Sequence, residues 1–137
     1  VDHLHMLVNQ LTETDERRGI DNLMNRLRSL VEETGVGMFL VTHLRRAAGE
    51  KGHERGIEVS LSHLRGSQGI SQLSDCVIAL ERNQQAEDEQ EANTTLVRVL
   101  KSRYTGDTGR ACSLLYNTDT GRMSEVTEEE TLEGLPF

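Results

Sequence analysis

Between Ile20 and Val31 the apolar residues Ile20, Leu23, Met24, Leu27, Leu30 and Val31 recur at spacings of three and four, which predicts a helix with one apolar face. Asp15 and Glu16 stand where a helix N-terminus favours acids, and Gly35 supplies a stop at the other end. The run GMFLVTHL at 37–44 is almost continuously apolar and of strand length, as expected for a strand covered on both faces. The short apolar stretch VDHLHMLV opens the chain. Strand, helix and strand in that order predict a βαβ crossover and a parallel sheet.

Residues 45–60 are polar and glycine-containing and read as a long loop. Ser62 is placed to cap a short helix, and Ser67 to cap another running through Leu73. CVIALER at 76–82 predicts a further buried strand, and NQQAEDEQEAN at 83–93 a mobile acidic connector. TTLVRVLKSR alternates like a strand, TGDTG makes a turn and ACSLLYN returns as its hairpin partner. NTDTG is a second turn, RMSEV a final edge strand, and 127–137 an acidic disordered tail closed by Leu135, Pro136 and Phe137.

With 137 residues and 35% apolar content, the chain can form one domain with a modest core. No apolar run approaches the roughly 20 residues of a membrane span, and the N-terminus carries no secretory signal pattern. Opening on an apolar run without Met, the chain reads as a piece of a larger protein. Cys76 and Cys112 are expected as buried reduced thiols of an intracellular protein. The net charge of −8 is concentrated in two clusters, Glu87–Glu91 and Glu125–Glu133. Outside those nine acids, fourteen Asp and Glu nearly balance fifteen Lys and Arg, so a locally basic loop remains compatible with an anionic partner.

Candidate chemistry falls at strand ends and turns. Asp2 and His43 lie near the carboxyl ends of what would be adjacent parallel strands, where ligands of such sheets sit. An Asp there can hold Mg²⁺ through water, and a His can bond a terminal phosphate; each can equally be a satisfied polar residue. Five histidines and two cysteines without a C-x-x-C or H-x-x-x-H pair do not define zinc. Arg45, Arg46, Lys51 and Arg55 lie among small residues, a composition suited to tracking a single-strand backbone, or to an ordinary charged loop. Lys101 and Arg103 are two apart, so on a strand they share a side. There they could neutralise a neighbour's transferring phosphate, or simply guard an edge strand.

Four of these segments, in order, resemble the helicase domain of the short-tailed-phage primase–helicases, DnaB-like ring helicases with a RecA-type core. VDHLHMLV is similar to the Walker B strand, VTHL to the phosphate-sensing strand, LRGSQGISQLSDCVIALERNQ to the DNA-loop motif and VLKSRYTGDTG to the finger strand. The resemblance implies an α/β, RecA-like fold: a mostly parallel sheet flanked by helices, with a C-terminal antiparallel hairpin, over residues 1–126. It implies that Asp2 orders Mg²⁺, that His43 senses the γ-phosphate, and that Arg103, with Lys101 beside it, is an arginine finger acting in trans. Arg45, Arg46, Lys51 and Arg65 would contact DNA, and Gln72 would link nucleotide state to DNA grip. Arg82 and Tyr116 would sandwich the nucleotide base.

The implied cofactors are ATP or dTTP with Mg²⁺. The implied partners are single-stranded DNA, further copies in a ring, probably read as a hexamer in this family, and a replicative polymerase docked by the tail ending in Phe137. The implied setting is the cytoplasm of an infected bacterium. No GxxxxGK[ST] loop occurs in the chain, so that loop is expected upstream of Val1 and the piece alone is expected to be inactive. A RecA-like recombinase and a non-catalytic DNA-binding module are the alternatives.

Overall fold

A computed structural model describes residues 1–8, 13–45, 58–65 and 68–126, apart from the side chains of 13–15. The chain forms two compact units, Val1–Arg45 with Ser60–Asp75, and Arg46–Val59 with Cys76–Phe137.

In the first unit the 3.6-residue pattern forms helix α1, Glu13–Thr34. Its apolar stripe is graded along its length. Ile20 is fully buried and Met24 nearly so, whereas Leu30 is 46% exposed. Gly35 ends the helix at φ +70°, a conformation glycine adopts without a Cβ penalty, and its N–H bonds Val31 O at 2.8 Å. Helix α2, Gln68–Leu73, packs on α1 and buries Ile70.

The strands predicted on either side of α1 are only partly formed. The Val1 amino group donates to Phe39 O at 2.6 Å, Val41 N–H to Val1 O at 2.9 Å and Leu4 N–H to Val41 O at 2.9 Å. Residues 1–4 and 39–41 thus run side by side in the parallel sense. Leu4–Leu7 then turns into a 3₁₀ helix instead of extending the strand. Phe39 is 88% exposed and Val41 49%, so the expectation of a strand covered on both faces does not hold for the described residues. Ser62 does not cap the 3₁₀ turn Leu61–His63; its hydroxyl bonds Ser60 Oγ, and Ser60 occupies the cap position. The expected cap Ser67 lies outside the described residues.

The second unit is built on a regular sheet of four strands, β1 (Cys76–Arg82), β2 (Thr94–Ser102), β3 (Gly109–Asn117) and β4 (Arg122–Val126), in that spatial order. Every pairing in it is antiparallel. A mostly parallel sheet was expected; among the described residues parallel pairing is confined to the bonds between 1–4 and 39–41. The hairpins follow the turn chemistry read from the sequence. Gly106 and Gly121 take positive φ, and Asn117 Oδ1 accepts from Thr120 N–H and Oγ1.

Two expectations for this unit are corrected. The connector 83–93 contains a short helix α3, Glu89–Asn93, because Asp88 caps it by accepting from Glu91 N–H at 2.7 Å and acids fill its first turn. Cys76 is exposed on the edge strand β1, and Cys112 is half-buried; both are free thiols.

Truncating Ile20 to Ala should lower the unfolding free energy by about 2–5 kcal/mol, the range for a filled core site. Leu30→Ala, near the exposed end of the same stripe, should cost less than about 1 kcal/mol. Urea denaturation of the two variants measures the contrast; equal losses would contradict the graded core.

Candidate functional site

In the first unit, parallel pairing of the chain start with 39–41 brings His43 beside the Asp2–His5 segment. The His3 and His43 rings meet edge to face with centroids 4.2 Å apart, and His5 lies 5.9 Å from His43 and 6.1 Å from His3. Asp2 and His43 are exposed, whereas His5 is 4% exposed. Among the described residues neither His5 ring nitrogen makes a hydrogen bond; Nε2 stands 3.9 Å from Glu16 Oε1. Burial pushes the His5 imidazole below its ordinary pKa, the Arg65 charge adds to that, and Glu16 opposes it. No group of three or more His, Cys, Asp or Glu among the described residues is arranged to hold a metal ion. A lone exposed carboxylate such as Asp2 still suits Mg²⁺, which keeps most of its waters and takes its other ligands from phosphate.

The end of this segment is tied to the motif that follows. Arg65 N–H bonds His43 O at 3.1 Å and Arg45 N–H bonds His63 O at 2.7 Å, an antiparallel bridge centred on Leu44 and Leu64. Arg65 Nη2 approaches Glu16 Oε1 of α1 at 3.5 Å, and its side chain is 53% exposed. Downstream, α2 carries Gln72 at an exposed position. Asp75, just beyond α2, is gripped by Arg28 of α1, whose Nη1 lies 3.0 and 2.9 Å from its two oxygens. Arg45, on the chain side of the bridge, is exposed. Arg46 and Lys51 lie outside the described residues.

In the second unit the predicted site residues divide between the two ends of the sheet. Arg82 pairs across β1–β2 with Thr95, and Thr95 across β2–β3 with Leu114. Cross-strand partners share a face and so do alternate residues, so Arg82 and Tyr116 occupy one face at one end. The Arg82 guanidinium is fixed there, Nε donating to Ala92 O at 2.6 Å and Nη2 to Asn93 Oδ1 at 3.1 Å, an arrangement that leaves its flat faces for stacking. Lys101 pairs with Val77 at the opposite end. Strand β2 stops at Ser102, so Arg103 belongs to the exposed turn, and the expectation that it shares a strand face with Lys101 does not hold. Thr95 and Lys101 are about 20 Å apart along β2 at ~3.3 Å per residue.

Sequence reasoning missed a buried ion pair in the same unit. Glu81 has a 5% exposed side chain and meets Arg98 in two hydrogen bonds, 3.0 Å from Nε and 3.2 Å from Nη2. The signal was available, since Glu81 has the same strand parity as Val77 and the buried Ala79. It also missed Arg28–Asp75, which sequence spacing cannot reveal.

The chain belongs to the family of the DnaB-like helicase C-terminal domain, which it matches over residues 1–125. It is 46% identical over 121 residues to a DNA helicase/primase of Enterobacteria phage T3, a match covering 88% of this chain and 21% of that protein. The chain therefore spans about a fifth of the length of this relative. Among the described residues no helix is long and apolar enough to cross a membrane.

The depressed pKa of His5 fixes the sign of a pH effect. Above pH ~6.5 the imidazole is neutral in both folded and unfolded chains; below it the unfolded chain takes up the proton first, so stability falls. His5→Leu should remove this share of the acid destabilisation. Urea midpoints of the two proteins should therefore differ between pH 7.5 and 5.5; a constant difference would contradict the assignment.

Proposed function

We propose that this domain works in an ATP-dependent replicative DNA helicase that moves along single-stranded DNA by hydrolysing nucleotide at the interfaces of a ring, probably not smaller than the hexamer implied by the family resemblance. In this reading Asp2 holds Mg²⁺ through water, and the ion neutralises phosphate charge. His43 bonds the terminal phosphate and shifts its contacts when that phosphate leaves. Arg45, Arg46, Lys51 and Arg65 meet the DNA backbone as cations, without reading bases. Gln72 on α2 passes the nucleotide state to that grip. Residues 1–126 form one functional part and 127–137 a separate acidic tail. Phe137 and the tail lie outside the described residues.

The observation that carries this reading is the bridge between 43–45 and 63–65. His43 and Arg65 share a backbone hydrogen bond, so a displacement of the sensor displaces the start of the DNA motif. The division of the sheet supports a trans role for Arg103. Arg82 and Tyr116 sit at one end and the Lys101–Arg103 turn at the other, which favours a finger that serves a neighbour's nucleotide while its own sheet clasps another base. The phosphate-binding loop this chemistry needs has no counterpart in the chain, so the roles assigned are those of these residues within the longer protein.

In the full-length protein Arg103→Ala should lower DNA-stimulated hydrolysis by about 10³-fold or more while nucleotide binding persists. Steady-state turnover and fluorescent-nucleotide titration measure the two, and unchanged turnover removes the finger. Replacing Arg45 and Lys51 together by Ala should weaken oligo-dT binding and flatten its dependence on salt by about two ions. Deleting 127–137 should leave unwinding intact and reduce capture of the replicative polymerase; undiminished capture would remove the docking role of the tail.

A further inference from the structure

Glu81 is a charged residue where an apolar one would ordinarily stand. It lies on the face of β1 that also carries Val77 and the buried Ala79, and its carboxylate is almost wholly withdrawn from solvent. Three hydrogen bonds satisfy it. Oε1 accepts from Arg98 Nε at 3.0 Å and from the backbone N–H of Val59 at 2.8 Å; Oε2 accepts from Arg98 Nη2 at 3.2 Å. Arg98 extends the network, its Nη1 lying 3.3 Å from Glu58 Oε1. Val59 is itself 4% exposed.

Stability does not require this arrangement. A well-packed apolar pair of similar volume commonly holds such a site as firmly as a buried ion pair. What an apolar pair cannot do is accept the Val59 N–H. A buried N–H left without a partner is costly, so the carboxylate fixes the backbone at that residue in position and orientation. Val59 is where the chain leaves the basic segment 45–57 and rejoins the ordered part of its unit.

We propose that Glu81, set by Arg98, is a positioning residue for nucleic-acid binding. It pins the chain at Glu58–Val59, so that the basic segment preceding them is presented from a fixed point. The inference rests on the reading that this segment contacts single-stranded DNA. A tether that cannot slide lets cations on the segment keep their register against successive phosphates. A loose tether leaves the same cations present but fewer of them engaged at once.

The test uses the full-length protein with three forms of this site and fluorescent oligo-dT as the probe. The double variant Glu81→Leu with Arg98→Met keeps an apolar core but removes the acceptor for Val59. Glu81→Gln keeps an acceptor and loses the charge. The double variant should melt within a few degrees of the parent, bind oligo-dT about tenfold more weakly and show a salt slope smaller by about one ion. Its affinity for a fluorescent ATP analogue should be unchanged. Glu81→Gln should retain most of the DNA affinity and a slowly exchanging Val59 amide.

Parental affinity and slope in a folded double variant overturn the proposal while leaving the DNA reading in place. If the double variant does not fold, Glu81→Gln decides: weak DNA binding with a protected Val59 amide overturns the proposal, and retained binding supports it. A parent that fails to bind oligo-dT overturns the DNA reading and this inference with it.

Discussion

Two backbone hydrogen bonds, Arg65 N–H to His43 O and Arg45 N–H to His63 O, join the parts of the first unit on which its function turns. They are the pair that closes an antiparallel bridge, and they have no continuation into a longer ladder. A single bridge is strong enough to hold register and short enough to be rearranged, because each such bond contributes only about 0.5–1.5 kcal/mol net. On one side stands His43, packed against the His3 ring. On the other stands Arg65, which approaches Glu16, while helix α2 farther on is anchored to α1 through Arg28 and Asp75. A change at the imidazole thus has a covalent and hydrogen-bonded route to the residues proposed to meet DNA.

The second unit answers a different demand, that of keeping apart two groups that would interfere if adjacent. An antiparallel sheet does this by geometry, since β2 begins beside Arg82 and ends in the turn carrying Arg103. The finger is exposed on a turn pinned by Gly106, and the base-stacking arginine is held by acceptors at the α3–β2 junction. Between the two ends the strands carry the buried Glu81–Arg98 pair, which costs desolvation on both partners and recovers it through three hydrogen bonds.

Much of this was legible in the sequence because it depends on local chemistry. The 20–31 periodicity determined α1, glycines marked its end and the hairpin turns, and alternation marked β1, β2, β3 and β4. The acidic connector misled because charge alone suggests disorder, whereas Asp88 in a capping position makes a helix of the same residues. The run at 37–44 misled because an apolar strand does not carry its own cover: Phe39 remains exposed within this unit. Of the site, residues at strand ends and turns could be named from motif and spacing. The His3–His5–His43 grouping and the Glu81–Val59 bond could not, since they are made by chain segments that meet only on folding.

The central claim is that His43 and Arg65 move as one element under nucleotide control. Amide hydrogen exchange at Arg45 and Arg65 in the full-length protein tests it most directly, compared between a non-hydrolysable ATP analogue and ADP. The account predicts different protection of these two amides in the two nucleotide states and loss of that difference in His43→Ala. Identical exchange at both amides in the two states, with nucleotide bound throughout, would contradict it.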